Sequence, residues 1–280
     1  MPDAFLHELA RVAASYNGIH SGPFSLTDDF QTAAAPLACQ TGTVVLLSGG
    51  DLDCARHHLL ATMPWLQLRG RGKRIEAILG GAHFQFETDP FDLIKQVVGY
   101  LKHGLEVTDL PVNNGLFGYL AYDLKNQLER LPRTAVDPWG LPDLCLYAPS
   151  ALLIQKRQNS RMDAPTSGGV RLLTPIYTAL AETRAGAAGQ FLAQHLGRAS
   201  RTPQCYGITG PFQSGFSAST YRAAVGRIRE YIAAGDVYQV NMSQCFEAPF
   251  EGDTYALFRD LYQANPAPFF AYVQAGDHQV

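Results

Sequence analysis

Three polar side chains on a predicted strand are the first candidates for chemistry in this 280-residue sequence. Alternation along Val237–Phe246 places Gln239, Asn241 and Ser243 on one face and mostly apolar residues on the other. Amide and hydroxyl groups can hydrogen-bond a polar ligand, and they need partners when they are buried. The alternative is a sheet face turned toward solvent, which antiparallel sheets often have. The pattern therefore leaves open a polar cavity lining and a solvated sheet face.

Other chemically suggestive residues form no recognisable site. His57 and His58 are adjacent and point to opposite faces of a strand, and with His83 and His103 they lack cysteine or aspartate partners at a metal-ligand spacing. The segment Gly70–Lys73 lacks the rest of a phosphate-binding loop and joins two predicted strands, as a hairpin turn does. No nucleophile elbow or Cys/His pair indicates an independent hydrolase. We expect no metal site in this chain.

Two organised regions must position these residues. The first contains an amphipathic helix, a strand ending in a turn, an antiparallel meander and a proline-started helix, at residues 5–16, 43–47, 65–87 and 90–101. The second contains a helix closed by Gly235, the strand Val237–Phe246, a helix after Asp253 and the strand Phe269–Val273. This order predicts an α+β fold in which helices cover mostly antiparallel sheets.

The stretch between these regions has a weaker pattern, with Ser, Thr, Gly and Pro clusters. This change of pattern along the chain predicts a first domain over residues 1–154 and a second domain over residues 215–280. Residues 155–214 are predicted to be a linker or insertion that contains a helix at Pro175–Leu196. The sequence ends soon after the strand Phe269–Val273. Because exposed strand edges are normally paired or covered, we expect this strand to lack a neighbour and the chain to be truncated.

Composition excludes several classes of function. A net charge of −3 gives no basic excess to attract nucleic acid or an anionic membrane surface. No apolar run approaches the roughly 20 residues that span a bilayer, and no leader pattern is present, so a cytosolic location is expected. The five cysteines are scattered and odd in number, which predicts reduced, mostly buried thiols rather than disulfides.

Three segments together resemble the large subunits of the anthranilate synthase and aminodeoxychorismate synthase family. The most specific is Ile232–Phe246 (IAAGDVYQVNMSQCF), which matches the family pattern at nearly every position. Asn114–Asp123 (NGLFGYLAYD) with Leu128–Pro132, and Asn265–Phe269 (NPAPF), are the other two. Tyr238 and Asn241 are more similar to the aminodeoxychorismate type, since anthranilate synthases more often carry Phe and a small or apolar residue there.

The resemblance implies magnesium-dependent amination of chorismate to 4-amino-4-deoxychorismate for 4-aminobenzoate and folate synthesis. It also implies a glutamine amidotransferase partner that supplies ammonia. The family's nucleophilic lysine, magnesium-binding glutamates, general-base histidine and carboxylate-binding arginine lie in segments that follow a strand like Phe269–Val273. The family's Ser-Pro-Glu-x-Phe segment and its Pro-Ile-Lys-Gly-Thr segment, which contains that lysine, are both absent from this sequence. No catalytic residue is therefore expected in this chain, and the chain alone is expected to be inactive.

The resemblance further implies an aromatic amino-acid pocket, which holds tryptophan in some family members. Its positions correspond to Ser48, Gly49, Arg56, Pro268 and Phe269. A small residue after a strand can free backbone groups for an ammonium or carboxylate, and a Pro-Phe pair offers a flat apolar wall. Here Ser48 replaces an acidic residue and Gly49 replaces the usual Ser, so a purely structural turn is the alternative.

Two other functions remain open at this stage. One is an anthranilate synthase large subunit, which aminates chorismate at C2 for tryptophan synthesis. The other is a non-catalytic module that binds an aromatic amino acid.

Overall fold

The apolar segments between Thr43 and Glu87 fold as antiparallel strands of one sheet, as their alternation predicts. The computed structural model describes residues 2–102, 110–132, 137–157, 169–182, 187–196 and 205–280. They divide into a larger unit, residues 1–201 with 258–280, and a smaller unit, residues 202–257. Helices and antiparallel strands make up both units, which confirms the α+β class.

The larger unit contains nine strands and most of the helices of the described chain. The strands are β1 (Tyr16–Phe24), β2 (Val44–Leu47), β3 (His57–Arg71), β4 (Arg74–Leu79), β5 (Ala82–Glu87), β6 (Phe117–Leu120), β7 (Leu144–Lys156), β8 (Val170–Tyr177) and β13 (Phe270–Val273). The helices are α1 (Asp3–Ala14), α2 (Phe30–Ala38), α3 (Pro90–Leu101), α4 (Lys125–Leu128), α5 (Ala188–His195) and the last residues of α7 (Thr254–Ala264).

All nine strands join one antiparallel sheet in the order β1-β8-β7-β3-β2-β13, with β4 and β5 extending from β3 and β6 paired to β7. The long strands β3 and β7 run side by side, with a register shift between Pro64 and Leu66. Pro64 has no backbone N–H to donate, so an irregularity at this position interrupts the ladder least. β3 pairs with β2 through residues 59–61, before this irregularity, and with β4 through residues 66–71, after it.

Helices α1 and α3 cover one part of this sheet. Asp89 caps α3 by accepting hydrogen bonds from the amides of Phe91 (2.9 Å) and Asp92 (3.2 Å), and Pro90 occupies its first turn, as predicted. The apolar stripes of both helices are buried against the sheet, and the central side chains are Phe5, Leu9, Val12, Trp65, Leu66, Leu93 and Val97. Each such side chain contributes about 1.5–3 kcal/mol through burial.

The sequence pattern missed part of this sheet. The structure forms β1 and α2 in the polar stretch after α1, and it forms β8 within the range expected to be a linker. Strand β8 pairs with both β1 and β7, so residues 170–177 belong to the large sheet. The expected helix at Pro175–Leu196 is wrong over its first part, because β8 continues to Tyr177. Among the described residues of that range, the α-helix α5 covers Ala188–His195.

Two further expectations need correction. Strand β13 has neighbours, since it pairs with β2 along Phe270–Val273 and Val273 exchanges two backbone hydrogen bonds with Val280. The five cysteines form no disulfide in the described part of the chain, as predicted, but only Cys145 is buried. The four exposed thiols lie in turns or at the ends of elements, where alternation does not predict burial.

The smaller unit contains α6 (Ala218–Ala234) and two short antiparallel ribbons. The ribbons pair β9 (Tyr206–Ile208) with β12 (Phe250–Gly252) and β10 (Gln213–Ser214) with β11 (Phe246–Glu247). Ser217 caps helix α6 by accepting a hydrogen bond from the Thr220 amide, and the helix ends, as predicted, at Gly235 in the left-handed conformation. In the part of the chain that the structure describes, no helix is long and apolar enough to cross a membrane.

Candidate functional site

The Ser48–Gly49 turn follows β2, and its backbone groups form hydrogen bonds with several other segments of the larger unit. The Ser48 amide donates to Nδ1 of His58 at 3.2 Å, and the Tyr262 hydroxyl donates to the Ser48 carbonyl at 2.8 Å. The Gly49 amide donates to the Ala267 carbonyl at 2.7 Å. The backbone groups that the sequence interpretation left for a ligand are therefore occupied by the chain itself.

Gly49 lies against Pro266, the second residue of the Asn265–Phe269 motif. A Cβ added at Gly49 would lie 2.7 Å from the carbonyl carbon and the Cβ of Pro266, which is closer than real Cβ contacts. Both atoms belong to a rigid ring residue or its backbone and have little freedom to move. This close approach explains why position 49 requires a residue without a Cβ.

Two arginines flank the loop after the turn. Arg56, the predicted pocket residue, is exposed, and its Nε donates to the Asp53 carbonyl at 2.5 Å. Arg157, at the end of β7, donates from Nη1 to the carbonyls of Gly50 (3.0 Å) and Ala55 (3.2 Å). The loop carbonyls thus have a fixed cationic partner in Arg157, which the sequence interpretation did not identify.

His58 lies between two aromatic rings beside the turn. Its imidazole stacks on Phe30 (centroids 5.6 Å apart, planes at 29°) and meets Tyr262 edge-on (6.4 Å, 81°). Burial, with the nearby charge of Arg157, lowers the pKa of His58 to about 4. The ring is therefore neutral near pH 7, and because Nδ1 accepts the Ser48 amide, the ring proton belongs on Nε2.

The Pro268–Phe269 pair does not form the apolar wall that was predicted for the pocket. Pro268 is half-buried, but the Phe269 side chain is 80% exposed. The adjacent Phe270 points inward and packs on Phe258 (5.0 Å) and Tyr262 (5.5 Å). Successive side chains alternate at the start of β13, so only one of the two phenylalanines can join the core.

The predicted cavity residues lie in the smaller unit, and the expected strand at Val237–Phe246 is wrong. Apart from Phe246 in β11, these residues form no strand, and the structure gives residues 237–244 no backbone hydrogen bond within the described chain. Gln239, Asn241 and Ser243 are exposed, and Nε2 of Gln239 donates to Oδ1 of Asn241 at 3.3 Å. A strand requires a hydrogen-bonded neighbour, which alternation in the sequence cannot supply.

A charged cleft of about 990 Å³ lies beside the β3–β4 turn. Its basic side chains have acidic neighbours, including the pairs Arg69–Asp277 at 2.6 Å and Arg71–Asp137 at 2.7 Å. The Gly72 amide donates to Oδ2 of Asp143 at 2.6 Å, so a carboxylate takes the place that a phosphate would need. Gly70–Lys73 is therefore a hairpin turn, as predicted.

Among the described residues, no three His, Cys, Asp or Glu side chains converge on a point that could hold a metal ion. A magnesium ion prefers several oxygen ligands, commonly one or two carboxylates among them. The described part of the chain does not fit such an ion, and we derive no chemical step through it. His57 and His58 are consecutive residues of β3, so their side chains point to opposite faces of the strand.

Comparison with known proteins identifies similar chains. A family described as chorismate binding enzyme matches residues 64–280. Anthranilate synthase component 1 of Cereibacter sphaeroides is 30% identical over 275 residues, which cover 91% of this chain and 53% of that protein. Aminodeoxychorismate synthase component 1 of Salmonella typhimurium is 31% identical over 171 residues, which cover 60% of this chain and 33% of that protein.

The fold is also similar to a solved structure. Anthranilate synthase component I from Streptococcus pneumoniae TIGR4 superposes with a TM-score of 0.58 and 20% identity, over 80% of this chain and 49% of that chain. This similarity concerns the fold alone. The chain spans about half the length of the first two curated relatives, 53% and 57%.

Proposed function

Because the chain belongs to the family of chorismate-binding enzymes, we propose that it is the N-terminal part of an aminodeoxychorismate synthase component I. The whole protein would aminate chorismate at C4 to 4-amino-4-deoxychorismate, the precursor of 4-aminobenzoate and folate. The observation that supports this product is the Tyr238-Gln-Val-Asn241 sequence within the most specific family segment. Anthranilate synthases more often carry Phe and a small or apolar residue at those two positions.

A second candidate is amination at C2 to anthranilate. The relative that covers 91% of this chain is an anthranilate synthase component 1, which favours this alternative. A non-catalytic module that binds an aromatic amino acid is a third candidate. It would require an open amino-acid pocket, and the occupied backbone groups at Ser48 and Gly49 weigh against it.

The proposal includes a cofactor and a partner for the whole protein. Magnesium would serve the reaction through ligands outside these 280 residues, and a glutamine amidotransferase subunit would supply ammonia. The relatives are named as component 1 of their synthases, which supports a two-component assembly. The 280-residue chain by itself contributes scaffold and is proposed to be inactive.

The product distinguishes the first two candidates. The protein that contains this chain would be incubated with chorismate, magnesium and ammonium, and the products would be separated by chromatography. We expect a compound that aminodeoxychorismate lyase converts to 4-aminobenzoate, and no turnover by the 280-residue chain alone. Fluorescent anthranilate as the main product would overturn the proposal in favour of the second candidate.

A further inference from the structure

Strand β5 (Ala82–Glu87) lies at an edge of the large sheet. It pairs with β4 on one side, and no other strand of the described chain pairs with it. Gly80 and Gly81, both with positive φ, connect β4 to β5 as in a two-residue hairpin turn. The residues that flank such a turn, Leu79 and Ala82, exchange backbone hydrogen bonds, and hydrogen-bonded residues then alternate along the two strands.

The even-numbered residues of β5 use their backbone groups to pair with β4. Phe84 and Phe86 belong to this series. The Thr88 amide continues the series just after the strand, because it donates to the Lys73 carbonyl at 2.9 Å. The odd-numbered residues must therefore direct their N–H and C=O groups away from β4.

The β5 edge consists of the outward backbone groups of His83, Gln85 and Glu87. All three residues are exposed, and within the described chain no further backbone group hydrogen-bonds to them across this edge. Proteins commonly blunt such edges with proline, lysine or a bulge. Strand β1, at another edge, contains Pro23 and a register shift, whereas β5 has the sequence AHFQFE and an unbroken register. The β5 edge is therefore open to pairing with a further strand.

We propose that the β5 edge binds a second copy of this chain, with the two β5 strands antiparallel about a twofold axis at Gln85. His83 of each copy then lies opposite Glu87 of the second copy, and Gln85 lies opposite its own equivalent. Every residue in these pairs directs its backbone groups outward, so each pair exchanges both of its hydrogen bonds. A twofold axis at Phe84 or Phe86 would leave one outward residue without a partner in the strand.

The side chains on the polar face are complementary in this register. The His83 imidazole meets the Glu87 carboxylate of the second copy, and the twofold axis repeats this contact. Gln85 can pair with its equivalent, because an amide side chain carries both a donor and an acceptor. This self-complementarity favours a second copy of the chain over an unrelated extended segment.

The opposite face of β5 adds an aromatic contact. Phe84 and Phe86 both pack on Phe5, with ring centroids 5.6 and 5.3 Å apart. In the proposed register Phe84 lies opposite Phe86 of the second copy, at a pair without hydrogen bonds, where side chains approach most closely. Phe86 is only 8% exposed, whereas Phe84 is half-buried, so the second copy would cover the exposed part of Phe84.

Sedimentation velocity of the 280-residue chain tests the association. Because a short strand interface buries little area and binds weakly, the concentrations run from about 5 to about 500 µM, over which monomer should convert to dimer. His83→Glu places a carboxylate opposite Glu87 and should weaken the dimer about tenfold. His83→Glu combined with Glu87→His exchanges the two residues and should restore it. His20→Glu, at an exposed histidine of β1, is the matched control and should leave the dimer unchanged.

Amide hydrogen exchange tests whether the contact lies at β5. The amides of His83, Gln85 and Glu87 should exchange about tenfold more slowly at the highest concentration than at the lowest. Those of Phe84 and Phe86 already bond to β4 and should not change. Gln85→Pro removes the outward N–H at the twofold axis without removing a hydrogen bond to β4, and should abolish the association.

Three results would overturn the proposal. These are a monomer at every concentration, a dimer that neither His83→Glu nor Gln85→Pro weakens, and association without slower exchange at the β5 edge, which would place the contact on another surface. If either variant fails to fold, the exchange measurement on the unsubstituted chain still decides. None of these measurements involves chorismate, so their outcome is separate from that of the proposed amination reaction.

Discussion

Two segments with strand-like patterns behave differently in the two units. Val44–Leu47 forms β2 and has a hydrogen-bonded neighbour on each side, β3 and β13. Val237–Phe246 carries a longer alternating pattern, but only Phe246 pairs, with Ser214 across from it. Alternation therefore indicates which side chains suit a strand, while the strand itself depends on neighbours that satisfy its backbone groups.

Side-chain burial differs between the two units in the same way as strand pairing does. Val44 and Val45 are completely buried, whereas Tyr238 is 93% exposed and no residue of α6 is buried. Because burial of apolar surface is the main favourable term in folding, we expect stability to depend on the large sheet and to depend little on residues 237–244.

The largest expected effect is a core truncation in the large sheet. Leu66 is fully buried on β3, so Leu66→Ala should lower the free energy of unfolding by about 3 kcal/mol through lost contacts and a residual cavity. Tyr238→Ala, the control, should change it by less than about 0.5 kcal/mol. Urea unfolding monitored by circular dichroism measures both. Similar losses for the two variants would contradict the division between the units.

The second-largest expected effect is the destabilisation caused by a methyl group at Gly49 in the Ser48–Gly49 turn. Gly49→Ala should cost about 2 kcal/mol, because its Cβ would overlap the Pro266 backbone. Gly99→Ala is the matched control: Gly99 is exposed in α3, with nothing within 4 Å of an added Cβ. That change should stabilise the chain by about 0.5–1 kcal/mol through helix propensity. Effects of the same sign would show that Gly49 does not pack as described.

A pH dependence tests His58 in the same turn. Its pKa is about 4 in the folded chain and 6.5 ordinarily, so the unfolded chain binds the proton first as the pH falls. Stability from this group is complete above about pH 6.5, declines from 6.5 to 4 and is level below 4. The loss should be about 2 kcal/mol, less than the full linkage value because solvent reaches part of the ring.

Urea midpoints between pH 7.5 and 4.5 measure this loss. The His58→Gln variant keeps an acceptor for the Ser48 amide and has no titrating ring, so its midpoint should fall less over the same range. Identical pH profiles for the two chains would mean that the His58 ring does not titrate as described.

The smallest expected effect concerns the ion pair between Arg69 and Asp277. The guanidinium donates to both carboxylate oxygens, at 2.9 and 2.6 Å, and holds the pKa of Asp277 well below its usual range. The side chains are nevertheless 39% and 62% exposed, so solvent screens the pair. Asp277→Asn should cost less than about 1 kcal/mol, and the difference should shrink in 1 M salt. A salt-independent loss above 2 kcal/mol would require a buried role for the pair.

The sequence was sufficient where local signals and packing agree. The meander at β3–β5, the Asp89 cap of α3 and the Gly235 stop of α6 depend on alternation, capping and backbone freedom, which are local properties. Strand β8 was missed because its place in the sheet depends on pairing with β1, which is distant in sequence, as well as with the preceding strand β7.

The site was harder to predict than the fold. Ser48 and Gly49 do meet the Asn265–Phe269 loop, through the Gly49–Ala267 hydrogen bond. Their backbone groups, however, are taken by His58 and Tyr262, 10 and 214 residues from Ser48. Tyr262 belongs to the helix that was predicted after Asp253, but a helical pattern indicates which side chains are buried and not which hydroxyl reaches which carbonyl.

The most direct test of the account is genetic complementation by the protein that contains this chain. Its gene would be expressed in two bacterial strains, one that requires 4-aminobenzoate and one that requires tryptophan, each lacking its own component 1. The account predicts growth of the first strain without 4-aminobenzoate and no growth of the second without tryptophan. Rescue of only the tryptophan-requiring strain would contradict it and assign the chain to an anthranilate synthase.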